Sequence, residues 1–355
     1  MKKKTKFLKM ISSAPVLISL SIVIPISAAL VGYAISPNNR FQNDTFEGHT
    51  ISGNPRTFKL EKVDRLFKIS NHSTWNNYQG GAFYNNFYCI AANNFENLLI
   101  YDMRDYSLED VITETELNNS YHCNTIAFGN TFYSPKDKYP LLYISMENPD
   151  VHCTNVYRLE KKSNEYVATK VQEIIFPSTK ECGIYLPNSY IDHNHTIGEG
   201  VTEFGGPALY YSGYTSATTI PHYQKAPENK LRFFKFDMPV APQEGLKEGV
   251  NYQYTVYLAD QVKYQLANKL YHDVDSETAT QGGFICAGYL FQTFAFHDDP
   301  IMRILDLSNY EIVYEDHIGP YGAYDEFENI GIYKDRIFGF GIKKLSIFEL
   351  HYSID

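Results

Sequence analysis

"QGGAFYNNFYCIAANNFENLLIYDM", residues 79–103, returns 202 positions later as "QGGFICAGYLFQTFAFHDDPIMRILDL", residues 281–307. In each copy QGG opens an apolar run, a two-residue turn comes next (Asn85-Asn86 or Ala287-Gly288), and a second run leads through a longer loop to a third. The third run ends I-x-D followed by Met103 or Leu307. Runs of this length and of aromatic and β-branched composition suit strands, and polar or small turn pairs suit hairpins. Self-similarity at a distance points to a repeat architecture.

Further copies fit the same template. "ENIGIYKDRIFGFGIKKLSIFEL", residues 328–350, aligns without a gap, with Glu328 at the place of Gln79 and Lys334-Asp335 in the turn. "HCNTIAFGNTFYSPKDKYPLLYISMENPDVHCTNVYRLE", residues 122–160, carries an insertion and places His122 where the others have Gln. A looser copy is "SYIDHNHTIGEGVTEFGGPALYYSGYTS", residues 189–216, followed by "LRFFKFDM", residues 231–238. Most units offer a fourth strand: "YSLEDVITE" (106–114), "EYVATKVQEIIF" (165–176), "YTVYLADQVKYQL" (254–266) and "YEIVYED" (310–316). Four short antiparallel strands per unit describe a blade of an all-β β-propeller. The last unit runs out of chain after three strands, and "TFKLEKVDRLFKIS", residues 57–70, has the composition of the missing outer strand. Its return would close the ring and remove an exposed sheet edge. Five blades are the expectation, and residues 178–230 leave room for a sixth.

The succession of a QGG unit, an HCN unit with "KYPLLYIS", a Tyr-Ile-Asp unit ending "FFKFDMP", a second QGG unit and a terminal "IGIY" unit resembles a set of uncharacterised exported bacterial β-propeller proteins. The resemblance covers almost everything after residue 55 and implies the architecture, with no settled activity.

The N-terminus differs from the rest. Five lysines stand in the first nine residues, and no charged residue occurs from Met10 to Asn39. Residues 1–34 read as a signal peptide or a membrane anchor helix. The apolar run is long enough to span a bilayer, whereas Gly32-Tyr33-Ala34 offers the small-x-small pattern of a cleavage site. Residues 35–55, rich in Asn, Gly and Pro, read as a linker, and residues 56–355 as the propeller domain. The basic start directs the remainder of the chain out of the cytoplasm, to an extracellular or cell-surface location. Residues 35–355 keep 26 basic against 41 acidic side chains. That surface repels nucleic acid and anionic lipid, so contact with membrane is expected only through the N-terminal segment. A monomer is expected. The five cysteines include no CxxC pair, which argues against a zinc ribbon. Cys123 with Cys153 is the first pairing to test in an oxidising compartment, and Cys89 and Cys286 read as buried hydrophobes.

In a propeller the innermost strands line a central channel. The repeat alignment therefore nominates Gln79, His122, Asn124, Asp192, Gln281 and Glu328 as a ring of ligand-binding groups. The competing reading has the glutamines tying blades together and the glycines letting strands approach closely. Among acids the alignment brings Asp192 and Glu328 to the channel, with His122 to assist. Such a pair would serve an extracellular glycoside hydrolase or lyase if its carboxyls stood about 5 to 10 Å apart. "YIDHNHTIGEG", residues 190–200, offers His193 and His195 on one strand face for a metal. Asp298 and Asp299 in "FHDDP" offer oxygens for calcium. No cofactor is required by any motif. The leading expectation is a binding module for a glycan or a protein at the channel mouth. The enzyme comes second, and a scaffold without a small-molecule site third.

Overall fold

The computed structural model describes residues 51–74, 77–93, 95–113, 122–129, 131–147, 152–192, 208–215, 230–239, 261–263, 271–275, 280–294 and 298–355. Residues 1–50, which hold the segment read as a signal peptide or anchor and most of the one read as a linker, lie outside them. Among the described residues no helix is long and apolar enough to cross a membrane.

The chain is a five-bladed β-propeller. The first blade is β2 (Tyr78–Tyr84), β3 (Phe87–Ala92), β4 (Leu98–Asp102) and β5 (Ser107–Ile112), in that spatial order from the channel outward. The second is β6 (His122–Phe128), β7 (Leu142–Glu147), β8 (Cys153–Lys162) and β9 (Glu165–Ile175). A one-turn helix, α1 (Thr179–Cys182), closed by a Ser178/Glu181 capping box, leads into the third blade. That blade holds β10 (Tyr185–Asp192), β11 (Ala208–Tyr214), β12 (Lys230–Asp237) and β14 (His272–Asp275). The fourth is β15 (Thr280–Cys286), β16 (Tyr289–Phe294), β17 (Ile301–Asp306) and β18 (Glu311–His317). The fifth joins β19 (Phe327–Tyr333), β20 (Arg336–Gly341) and β21 (Ser346–Ser353) to β1 (Lys59–Lys68), the strand that returns from the other end of the chain.

Local chemistry explains the hairpins. Ala287 and Gly288 have φ of 51° and 80°, and Lys334 and Asp335 have φ of 49° and 56°. Positive φ at both central residues matches the twist of the flanking strands, which is why two-residue turns suffice here. The core is distributed rather than central: five apolar clusters each fill the space between two adjacent blades. Aromatic rings dominate them, including the stack of Phe176 on Tyr211 at 4.0 Å and of Phe83 on Tyr88 at 4.2 Å. One cluster per interface means that every blade depends on both neighbours.

Two expectations are corrected. The outer strand of the third blade is β14 (His272–Asp275), beyond the expected segment 254–266, of which residues 261–263 are described. Those residues, β13 (Gln261–Lys263), pair in parallel with Glu173–Ile175 of β9, adding a fifth strand to the second blade. The eleven-residue β9 carries an outer edge free to accept it, while the third blade closes with the four-residue β14. The second correction concerns the cysteines, for all five are free thiols. Cys123 and Cys153 both pair with Met146, one from each side, so a whole strand lies between them. Two strand spacings, roughly 9.5 Å, exceed the reach of a disulfide. Cys89 and Cys286 are buried, as hydrophobes would be.

Candidate channel site

The five inner strands β2, β6, β10, β15 and β19 run side by side. Tyr84 and Phe128, the last residues of β2 and β6, have ring centroids 5.6 Å apart, and Gly80 near the start of β2 lies against Asn124 and Ile126. One mouth of the channel is therefore formed by the beginnings of these strands. At that mouth the hairpin register slips by one residue in every blade, between Tyr78 and Gly81, Cys123 and Ile126, Tyr185 and Asn188, Thr280 and Gly283, and Phe327 and Asn329. A β-bulge leaves one residue unpaired with the partner strand and re-aims its side chain. Gln79, Asn124, Gln281 and Glu328 each lie within these slips. Four of the six ring residues nominated from sequence are thus brought to one height by a repeated backbone irregularity.

The glycines of both QGG motifs are explained by crowding. A Cβ on Gly80 would stand 2.8 Å from Asn124 O, and one on Gly282 would stand 2.6 Å from Asn329 Cα and 2.8 Å from Glu328 O. These neighbours are backbone atoms that cannot swing away. Gly282→Ala is therefore expected to cost about 2 kcal/mol by overpacking, read as a lower urea midpoint with an unchanged slope. An unchanged midpoint would show that the inner strands can separate without penalty.

The remaining nominated residues fall differently. Thr125 Oγ1 donates to Ser189 O at 2.8 Å, which sets Ser189 level with Thr125. Asn188 then takes the height of Asn124, and Asp192 is the last residue of β10, at the opposite end of the strand. The alignment through Tyr-Ile-Asp starts the third blade too late, because Leu186-Pro187 hides a strand start. Pro187 is tolerated there because it sits in the bulge, on a strand edge facing the channel. Asp192 and Glu328 differ in height by about four extended residues, roughly 13 Å. His122 begins β6 two residues before Asn124, paired in register with Glu147. His193 and His195 lie outside the described residues. Among the described residues no group of three or more His, Cys, Asp or Glu side chains is placed to hold a metal.

Glu328 is the chemically distinctive member. It is 4% exposed, and its Oε2 has no hydrogen-bond partner. Burial pushes its carboxyl well above the usual carboxylate range, and the nearby charges of Glu326 and Asp325 push the same way against Lys343. Asp325 is also raised by burial, and it accepts three backbone N–H bonds from Glu326, Lys343 and Lys344. Lys343 ion-pairs with Asp298 and lies 3.8 Å from Glu326. Asp299 accepts from Gly319 N at 2.8 Å and lies 3.1 Å from His317 Nδ1. The FHDDP carboxylates thus brace the loops around this mouth. Gln79 is buried and donates from Nε2 to Asn77 Oδ1 at 3.1 Å, Asn124 is buried, and Gln281 is half-buried. Asn329, which the alignment passes over, ties the fifth blade to the first by donating to Gly81 O at 2.8 Å. The signal for this acidic corner is present in "DEFEN", residues 325–329, just ahead of an inner strand.

No protein-family model matches the chain. No curated protein matches it either. Among solved structures it is similar to the β-propeller domain of Cps50 (Swd1) from Myceliophteria thermophila, at 10% identity and a TM-score of 0.37, over 89% of this chain and 99% of that one. It is also similar to the PQQ-bound aldose sugar dehydrogenase of Streptomyces coelicolor, at 11% identity and a TM-score of 0.39, over 84% and 99%. A third is a putative oxidoreductase (glucose dehydrogenase) of Thermus thermophilus, at 8% identity and a TM-score of 0.43, over 82% and 100%. None of these likenesses bears on what the chain binds or does.

Proposed function

We propose that the chain is an exported binding module that takes a glycan at the channel mouth where the inner strands begin. The observation that carries this reading is Glu328: a buried carboxyl with an oxygen left unpaired, in a ring of amides from Gln79, Asn124 and Gln281. An unpaired buried polar group is costly, and natural folds keep such groups where a ligand supplies the partner. A protonated carboxyl and side-chain amides each offer a donor and an acceptor, the pairing that sugar hydroxyls require. The surrounding acids Asp298, Asp325 and Glu326 disfavour an anionic ligand at this mouth. Export is supported by the lysine-rich start and the uncharged run from Met10 to Asn39, and it agrees with the resemblance to exported propellers.

The test is a neutral-glycan array probed with the full chain, with Glu328→Ala and with Gln79→Ala. Wild-type binding that falls about tenfold in each variant, the loss of one or two hydrogen bonds, supports the reading. Glycan binding indifferent to both, or capture of a protein partner with no glycan bound, overturns it. Fractionation of cells expressing the full chain tests export, and a cytoplasmic product would refute it.

A further inference from the structure

At the opposite end of the ring from Glu328, a cleft of about 360 Å³ opens between the first and second blades. A second cleft of about 350 Å³ adjoins it and shares Lys138, Tyr139 and Lys161. Both are within the size range of small-molecule sites. The first is floored by aromatic rings, with Phe87 and Tyr139 centroids 4.6 Å apart. The hydroxyls of Tyr139, which is half-buried, and Tyr166, which is buried, meet at 3.0 Å.

The charges around the clefts are unequally satisfied. Arg104 is held by Asp102, and Arg158 is held by both oxygens of Asp137 and by Glu160. These pairs neutralise the local acids and both guanidinium groups. Lys161 lies 3.8 Å from Glu109 and 4.5 Å over the ring of Tyr166, with its Nζ 3.5 Å from the Tyr166 hydroxyl, in the wall that the two clefts share. Lys136 and Lys138 are exposed, and their ammonium groups make no ion pair among the described residues. In a chain with 41 acidic side chains, two unpaired lysines and a third loosely held one beside an aromatic floor form a local reversal of sign. Clefts concentrate such a field.

We infer that this double cleft binds an acidic sugar, an oligosaccharide bearing uronic carboxylates. Its ring faces lie against Phe87 and Tyr139, and its carboxylates meet Lys138, Lys161 and Lys136. The aromatic floor accounts for the sugar faces, since flat apolar ring surfaces stack on aromatic side chains. The lysines account for the carboxylates through charge-assisted hydrogen bonds. This site is separate from the channel mouth in position and opposite to it in charge.

The test is calorimetric titration of the full chain with tri-galacturonate and with its neutral methyl ester. The acid is expected to bind, and the ester to bind about tenfold or more weakly, as the loss of a hydrogen bond to a charged group implies. Lys138→Gln, exposed and unpaired in the fold, is expected to weaken the acid to a similar degree without changing the melting temperature. Raised salt weakens it further. Glu328→Gln, altered at the other mouth, binds the acid as the wild type does. No binding of the acid, equal binding of the ester, or a Lys138→Gln chain that binds as tightly as the wild type overturns the site. Loss of binding in Glu328→Gln overturns its independence from the channel.

Discussion

A chain truncated before Ser70 loses the cooperative unfolding transition of the full-length protein. The physical reason is the position of β1. It is the outermost strand of the fifth blade, paired antiparallel with β21 from Lys59 opposite Ser353 to Lys68 opposite Ser346. Phe58, Leu60 and Val63 are buried, and Phe58 stacks on Tyr352 at 5.1 Å and meets Tyr314 edge-on at 4.8 Å. The preceding turn is pinned as well: Arg56 ion-pairs with Asp306 and Glu311 of the fourth blade, and Asp355 N donates to Thr57 Oγ1. Fully burying a large apolar side chain contributes about 1.5–3 kcal/mol. The three lost here therefore approach the roughly 5–15 kcal/mol by which a domain is stable. Truncation also bares the edge of β21, an invitation to association. Far-UV circular dichroism against urea and size-exclusion chromatography read the two effects. A truncated monomer that unfolds at the full-length midpoint would show that the ring does not need its closing strand.

That closing strand is legible in residues 57–70 because a last blade with three strands has an unpaired edge, and ring closure offers one remedy. The two-residue turns are legible for a similar reason: Ala287-Gly288 and Lys334-Asp335 fall between apolar runs at the one spacing where a primed turn fits. Less local features escape. The third blade is misplaced by the alignment because its inner strand begins with Leu186-Pro187, and a proline masks a strand unless the bulge that admits it is known. The pairing of β13 with β9 has no sequence signal at all, since 254–266 is strand-like whichever edge receives it. The site shows the same division. Gln79, Gln281 and Glu328 are found by repetition, whereas the burial of Glu328 and its neighbours in "DEFEN" depends on how the blades converge. The lysine cleft, built from two turns of the first blade and two loops of the second, has no repeated counterpart to reveal it.

Glu328→Gln is expected to stabilise the protein at neutral pH and to keep its ligand at the channel mouth, since the amide offers a donor and an acceptor as the protonated acid does. The carboxyl is buried, one oxygen lacks a partner, and its folded pKa lies well above the ordinary 4.5. A raised folded pKa means that the folded state binds more protons than the unfolded one. The group's contribution to stability is then fully present below about pH 4.5 and is lost as pH rises through the folded value. Glutamine keeps the shape of the protonated acid and cannot ionise. At pH 4 the variant and the wild type should unfold at the same urea concentration, and the variant should pull ahead as pH rises. The gain grows by up to about 1.4 kcal/mol per pH unit between the unfolded and the folded value, because only the wild-type chain must take up a proton on folding. Asp325, raised in the same direction, remains in both proteins and cancels from the comparison. A difference that is already present at pH 4 and flat with pH would mean that Glu328 is not held protonated by burial. A chain that gains stability and loses its glycan would mean that the ligand is held by an ionised carboxylate and not by the neutral acid. Gain of stability with binding kept is the outcome expected when burial holds the acid neutral and the ligand pairs with that form.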